Sequence, residues 1–275
     1  MIIQIINEAY SEGYDIVVAG VGEIGAMAVN NIKEPHRHIA HSLKMFSERY
    51  GDQPEDYEDV CKQCDYIMVI VDFDDEEAVR RAYQYTKISK PRKPADASLL
   101  HLYPRNDKSH SICITLSKYN TDRYAKYKDY FDYIIFVDHI DQLHLPVEFL
   151  LLKPRGSFIG IDICDIFSIF KNGKRAYMIE INKQSIPKAR ALFSDQLMKT
   201  VQQNGIKKLE IFFGFGISAD SNLDVIEDLA NDMIAMAHKV DPSAEILWSA
   251  TFDETLSCLN NEIWISAIIA VVDGT

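Results

Sequence analysis

The stretch IVVAGVGEIGAMAVNN (Ile16–Asn31) decides the reading of this chain. It opens on an apolar run, Ile16–Ala19, passes through Gly20, Gly22 and Gly25, and continues into small residues that start a helix over Gly25–Ile32. A buried strand, a glycine turn and a helix start form a backbone cradle for phosphate, because glycines admit close approach and helix-start N–H groups receive negative charge. The next apolar strand, CDYIMVIVD, runs directly into Asp72, Asp74, Asp75, Glu76 and Glu77. A two-loop nucleotide site calls for a second glycine-rich loop at that point. Half of the cradle is present, and the other half is acidic.

Working outward, strands alternate with helices. Residues 1–13 suggest a short helix or an added strand. His38–His41 reads as a short strand, followed by a polar helix near Ser42–Tyr50, and Glu55–Lys62 as helical. Tyr66–Val71 is a continuous apolar run, the pattern of a parallel strand covered on both faces. Glu76–Tyr85 reads as a helix, and Ser111–Leu116 and Tyr133–Val137 as strands. This is the order of a Rossmann-like parallel sheet, expected over residues 1–148. Asp138–Arg155 carries two prolines and no long helical period, so residues 149–165 are expected to be a short connector with an acidic loop. The remainder, 166–275, predicts a smaller two-layer α/β domain. Its strands are Arg175–Glu180, Leu209–Phe213, Ile246–Ala250 and Glu262–Val272, and its helices are Ile186–Gln203 and one starting at a capping box, Ser221–Asp224. In the latter, Leu223, Ile226, Ala230, Met233, Ile234 and Ala237 recur at helical spacing. Ser185 is expected to cap the former, with Pro187 in its first turn.

Composition narrows the function classes. The 275 residues carry a net charge of −12, which argues against nucleic acid, whose binding depends on clustered Lys and Arg. The densest basic stretch, KISKPRKP (Lys87–Pro94), reads as a solvated loop. No run of 18 apolar residues suggests a membrane span, and the start MIIQIINEAY lacks the basic region of a secretory signal. Five cysteines without framework spacing fit a reducing, cytoplasmic setting.

Other motifs point elsewhere only weakly. A dinucleotide-binding G-x-G-x-x-G requires an acid at the end of the second strand to hold the ribose, and HRHIAHSL offers none. Cys61 and Cys64 form a lone C-x-x-C, which favours packing over zinc. His36, His38 and His41 do not share one face of a strand. Tyr119, Tyr124, Tyr127, Tyr130 and Tyr133 alternate with Lys and Asp, as on a half-buried amphipathic helix.

Four stretches together resemble the tubulin/FtsZ superfamily. GVGEIGAMAVNNI is similar to the first glycine loop of FtsZ, GVGGGGGNAVN. GIDICDI (Gly160–Ile166) is similar to the catalytic loop written NLDFADV. Asp241–Val271 is similar to the last strands of the second domain, and SADSNLDVIEDLANDM to the helix start before them. The glycine signature GGGTGTG that should follow CDYIMVIVD is absent, and Gly160 replaces the catalytic-loop Asn.

The resemblance implies a cytoskeletal or assembly protein. Gly20, Val21, Gly22, Glu23, Ile24, Gly25 and Asn30 would contact GTP, and Asp162 and Asp165 would act on a neighbouring subunit's nucleotide. Asp72 and Asp74 could hold Mg²⁺. Against nucleotide stand the acids of the second loop: like charges ~5 Å apart cost about 0.8 kcal/mol in water and about 3 kcal/mol at an effective dielectric of 20. The expectation is a pseudo-GTPase scaffold that self-associates or binds a filament of the family. The alternative is an active GTP-hydrolysing polymer with its site shared between subunits.

Overall fold

The computed structural model describes residues 14–32, 40–48, 64, 66–88, 110–119, 122–151, 157–159, 170, 173–218, 220–257 and 261–272. The chain divides into two compact units, Met1–Glu148 and Phe149–Thr275.

Among the described residues, the first unit has five parallel strands. In chain order they are β1 (Tyr14–Val21), β2 (Ala40–Glu48), β3 (Tyr66–Val71), β4 (His110–Leu116) and β5 (Tyr133–Val137). Their lateral order is β2-β1-β3-β4-β5. All six residues of β3 are buried, as its unbroken apolar run predicts for a strand covered on both faces. The helices are α1 (Gly22–Asn30), α2 (Glu76–Ile88), α3 (Asp122–Tyr127) and α4 (Leu145–Leu151), the last running across the boundary between the units. In α2, Ala78, Val79, Ala82 and Tyr85 are buried while Glu76, Glu77, Arg80 and Gln84 face water.

Where a polar helix is expected near Ser42–Tyr50, the described residues through Glu48 form strand. Ala40–Glu48 pairs in parallel with β1 from Asp15↔Ser42 to Val21↔Glu48. Leu43 and Met45 alternate with Ser42 and Lys44, but Phe46 and Ser47 interrupt that period of two, so the conformation is decided by β1 as the hydrogen-bonding partner. The Tyr-rich span divides into α3, a turn and the start of β5, with Tyr127 buried. Between β5 and the next unit, Asp138–Leu151 holds a 3-10 turn (Ile140–Gln142) and α4, more helix than the two prolines suggested. The expectations for residues 1–13 and Glu55–Lys62 lie outside the described residues.

The second unit contains β6 (Ser157–Ile159), β7 (Arg175–Ser185), α5 (Ile186–Asn204), β8 (Leu209–Ile217), α6 (Leu223–Val240), β9 (Glu245–Phe252) and β10 (Glu262–Val271). Its strand order is β7-β10-β8-β9-β6; β10 runs antiparallel to β7 and β8, and β8 is parallel to β9. The helices α5 and α6 contact each other, α5 packs on β7 and β10, and α6 on β9, a two-layer arrangement as the alternation predicts.

Two caps differ from expectation. Asn222, not Ser221, caps α6: its Oδ1 accepts the Asp224 N–H at 3.2 Å. Asn is as good an acceptor as Ser at a helix start, and it stands one residue nearer the first turn. Ser185 does occupy the N-cap position of α5 but makes no side-chain capping bond there, and Pro187 sits in the first turn as predicted.

Candidate functional site

Two loops of the first unit meet at the C-terminal ends of β1 and β3, which end side by side at Val21↔Val71. The first is a tight turn, since β1 closes at Val21 and α1 opens at Gly22. Gly22 has φ +75°, the left-handed region that favours glycine. Gly20 and Gly25 serve close packing: a Cβ on Gly20 would lie 2.1 Å from the Gly25 carbonyl oxygen, and one on Gly25 would lie 2.1 Å from that of Ile70. The first turn of α1 therefore rests directly on strand backbone. Val21, its N-cap residue, has no polar side-chain atom and makes no capping bond. Glu23 is exposed in that first turn, Ile24 is half-buried, and Asn30 is exposed at the far end of the helix.

The second loop, Asp72–Asp75, is held by its own carboxylates. Asp72 Oδ1 accepts the Asp74 N–H at 2.9 Å, and the Asp72 carbonyl accepts that of Asp75 at 3.1 Å. Asp75 Oδ1 accepts the Ala78 N–H at 2.9 Å, capping α2. Phe73 is fully buried in edge-to-face contact with Tyr127, ring centroids 5.1 Å apart, which fixes the loop from beneath. The two loops touch: a Cβ on Gly22 would come within 3.1 Å of Asp75 Oδ2.

Cations from the segment after β4 neutralise the acids. Arg123 places Nη2 3.3 Å from Asp74 Oδ1 and Nη1 3.3 Å from Glu76 Oε1. Lys126 Nζ donates to Glu76 Oε1 at 2.6 Å, and Lys118 Nζ lies 3.8 Å from Asp74 Oδ2. Glu77 pairs with Arg80 one turn along α2. The hydrogen bond from Lys126 and its charge, with those of Arg123, hold the Glu76 carboxyl below its ordinary range. Glu76 in turn raises the Lys126 ammonium. These side chains remain substantially exposed, so each pair adds little to stability; their effect is on where charge can go.

The structure therefore brings Gly22 and Asp75 together and places Asp72 and Asp74 in one loop. The Asp74 carboxylate faces Arg123 and Lys118, and among the described residues no three His, Cys, Asp or Glu side chains group as metal ligands. Asp162 and Asp165 lie outside the described residues, as do Cys61, His36 and His38. Sequence reasoning missed Lys118, Arg123 and Lys126, and with them the neutralisation of the acidic loop. The available signal was DRYAKYK (Asp122–Lys128), where Arg123 and Lys126 stand three residues apart on one helix face.

A guanine nucleotide, the ligand that the sequence resemblance implies, fits these residues on one side only. The start of α1 has no side-chain cap, which leaves its first N–H groups without an intramolecular side-chain acceptor, although Gly22 itself is buried. At the start of α2, where the second phosphate loop would lie, the Asp75 carboxylate already takes a helix-start N–H.

Solved structures with this architecture include FtsZ and TubZ. An FtsZ point mutant from M. jannaschii superposes with TM-score 0.61 at 14% identity, over 98% of this chain and 94% of that one. An empty FtsZ dimer from the same organism gives 0.61 at 12% identity, over 99% and 92%. TubZ of Bacillus thuringiensis serovar israelensis, in GDP-form protofilaments, gives 0.58 at 7% identity, over 97% and 90%. No protein-family model and no curated protein sequence matches the chain. The chain has a tubulin/FtsZ-like α/β fold, very divergent in sequence. No described helix is long and apolar enough to cross a membrane.

Proposed function

We propose that this protein is a tubulin/FtsZ-like assembly protein whose nucleotide site is degenerate, a pseudo-GTPase that self-associates or joins a filament of the same fold. One observation carries the reading. Asp75 caps α2 at 2.9 Å through one carboxylate oxygen and turns the other toward Gly22, so negative charge stands between the two loops that would have to embrace a polyphosphate. The neighbouring fold members include a dimer and protofilaments, which supports association as the retained property. In this reading Asp162 and Asp165 belong to a contact surface between subunits, and the assembly is a head-to-tail contact of two different faces.

The second reading is an active GTP-hydrolysing polymer, with Mg²⁺ on Asp72 or Asp74 and Asp162 and Asp165 acting on the neighbouring subunit's nucleotide. The glycine turn at Gly22 and the start of α1, without a side-chain cap, favour it.

Calorimetric titration of nucleotide-stripped protein with GTP, with and without Mg²⁺, separates the two. The pseudo-GTPase reading expects no binding at micromolar nucleotide, together with concentration-dependent oligomers in sedimentation velocity. Micromolar GTP binding defeats it, and a strict monomer at high concentration defeats self-association.

A further inference from the structure

We infer that this protein makes a side-by-side contact with a second copy, in which the α1 face of one first unit meets the α2–α3 face of the next. This rests on the reading that the protein self-associates, and it adds which surfaces meet. The two faces lie on opposite sides of the parallel sheet. Gly20, Ile70, Ile114 and Ile135 stand side by side across four strands, and a Cβ on Gly20 would point into Gly25 and Val29 of α1. Phe136, the next residue of β5, therefore points to the other side. There it meets Tyr124 of α3, ring centroids 6.1 Å apart. The helix α2 shares that layer, joined to α3 and the turn after it by Lys126 on Glu76 and by the stack of Tyr83 on Tyr130.

Each face offers what the other lacks. Among the described residues four large apolar side chains are exposed. Two of them, Met27 at 44% and Ile140 at 46%, stand on α1 and on the 3-10 turn that packs against it. Ile24, one turn before Met27 on the helix, is half-buried. Residues 22–32 and 138–143 carry three acids, Glu23, Asp138 and Asp141, all exposed, and no Lys or Arg. On the other side, Tyr83 and Tyr130 are half-buried and stacked with centroids 4.3 Å apart, and Lys87 Nζ lies 4.2 Å from the centre of the Tyr83 ring. Glu76–Ile88 and residues 122–130 together carry six Lys or Arg against four acids, in a chain whose net charge is −12. One face is apolar with acids around it, and the other is aromatic with an excess of cations. A thioether such as that of Met27 packs favourably on aromatic rings, and opposite charges fix the register of such a contact. Because the two faces point away from each other, each added copy presents a fresh one, and the contact propagates.

Charge exchange tests the pairing, read by sedimentation velocity over a concentration series at low salt. E23K/D141K makes the α1 face cationic, and K87E/K128E makes the α2–α3 face acidic. Each variant alone should need at least about tenfold more protein than wild type for half-association, because like charges then face each other. Mixed in equal amounts, the two should associate again, since every contact in an alternating array pairs opposite charges. M27S/I140S leaves the charges alone and should also lose at least about tenfold; added to both exchange variants, it should abolish the rescue. Unchanged association in both exchange variants overturns the contact, as does a loss that mixing fails to repair or a rescue that survives M27S/I140S. Should a double exchange not fold by circular dichroism, E23K and K87E, alone and mixed, decide in the same way. A strict wild-type monomer would remove self-association and this contact with it, whereas wild-type association indifferent to these exchanges removes only the contact.

Discussion

Asp75 and Gly22 occupy one small space: the carboxylate that caps α2 comes within 3.1 Å of where a Cβ on Gly22 would stand, and the Ala78 Cβ lies 3.0 Å from the same point. A substitution at Gly22 therefore meets two costs, a left-handed φ and crowding. Gly205, at the end of α5, shares the first cost, with φ +61°, but has nothing within 4 Å. Gly205→Ala should destabilise by about 1 kcal/mol, the backbone term alone. Gly22→Ala should cost about 1–2 kcal/mol more, because the Ala78 methyl belongs to a packed helix and yields poorly. Urea unfolding of both variants measures the difference. Equal losses would mean that α2 does not press on the turn.

The cap itself makes a separate expectation. Asp75→Ala removes the acceptor for the Ala78 N–H and should cost about 1 kcal/mol, while Asp75→Asn should be nearly neutral at neutral pH. Far-UV circular dichroism during urea unfolding reads both. A large loss in the Asn variant would show that the charge, not the hydrogen bond, holds the loop.

The parallel sheet was legible because its strands carry local information. Tyr66–Val71 and Tyr133–Val137 are apolar runs that only a doubly covered strand accommodates, and both lie where the sequence places them. The strand Ala40–Glu48 was not, since its alternation is interrupted and its conformation is settled by the β1 partner. The glycine pattern marked the site, yet it did not separate Gly20 and Gly25, required by packing, from Gly22, required by backbone conformation. The acidic run was visible, but its meaning depended on cations more than forty residues away, such as Arg123 against Glu76. Pairings across that distance come from the register of β3, β4 and β5, which no local pattern in either segment encodes.

Acid should weaken the second unit through Asp241. Burial alone would raise this carboxyl, but hydrogen bonds from the Ser243 hydroxyl and the Ser243 and Leu209 N–H groups, with the Lys208 charge, outweigh it and leave the pKa below the ordinary 3.8. A folded-state value below the unfolded one means that the contribution is complete above the unfolded pKa and is lost as pH falls through the folded one. Stability should therefore fall as pH drops below 3.8. Asp241→Asn should be less stable at pH 7, because its amide brings donors where three donors already converge, and its acid loss should be shallower. Thermal melts from pH 7 to pH 2.5 test this; parallel curves for the two proteins would remove Asp241 from the account.

A second tie in that unit joins Asp253 to Trp264, whose indole Nε1 donates to Asp253 Oδ2 at 3.0 Å. The other oxygen, Oδ1, accepts the Thr255 N–H at 2.8 Å and the Thr255 hydroxyl at 2.6 Å. Asp253→Ala leaves the part-buried Trp264 N–H without its acceptor and also loses two bonds from exposed Thr255 that water replaces, and should cost about 1–2 kcal/mol, whereas Trp264→Phe leaves no donor unpaired. The two effects should not add, since the double variant forfeits the shared bond once, leaving a coupling of about 1 kcal/mol in a double-mutant cycle. Fluorescence separates the partners as well as the energies. The chain has two tryptophans, and Trp248 stacks on Phe215 with centroids 5.9 Å apart. The emission of Trp264 should therefore shift in Asp253→Ala while that of Trp248 stays, which is visible by repeating the measurement in a Trp248→Phe background. Additive energies with an unshifted Trp264 emission would show that the indole bond does not hold the segment between β9 and β10.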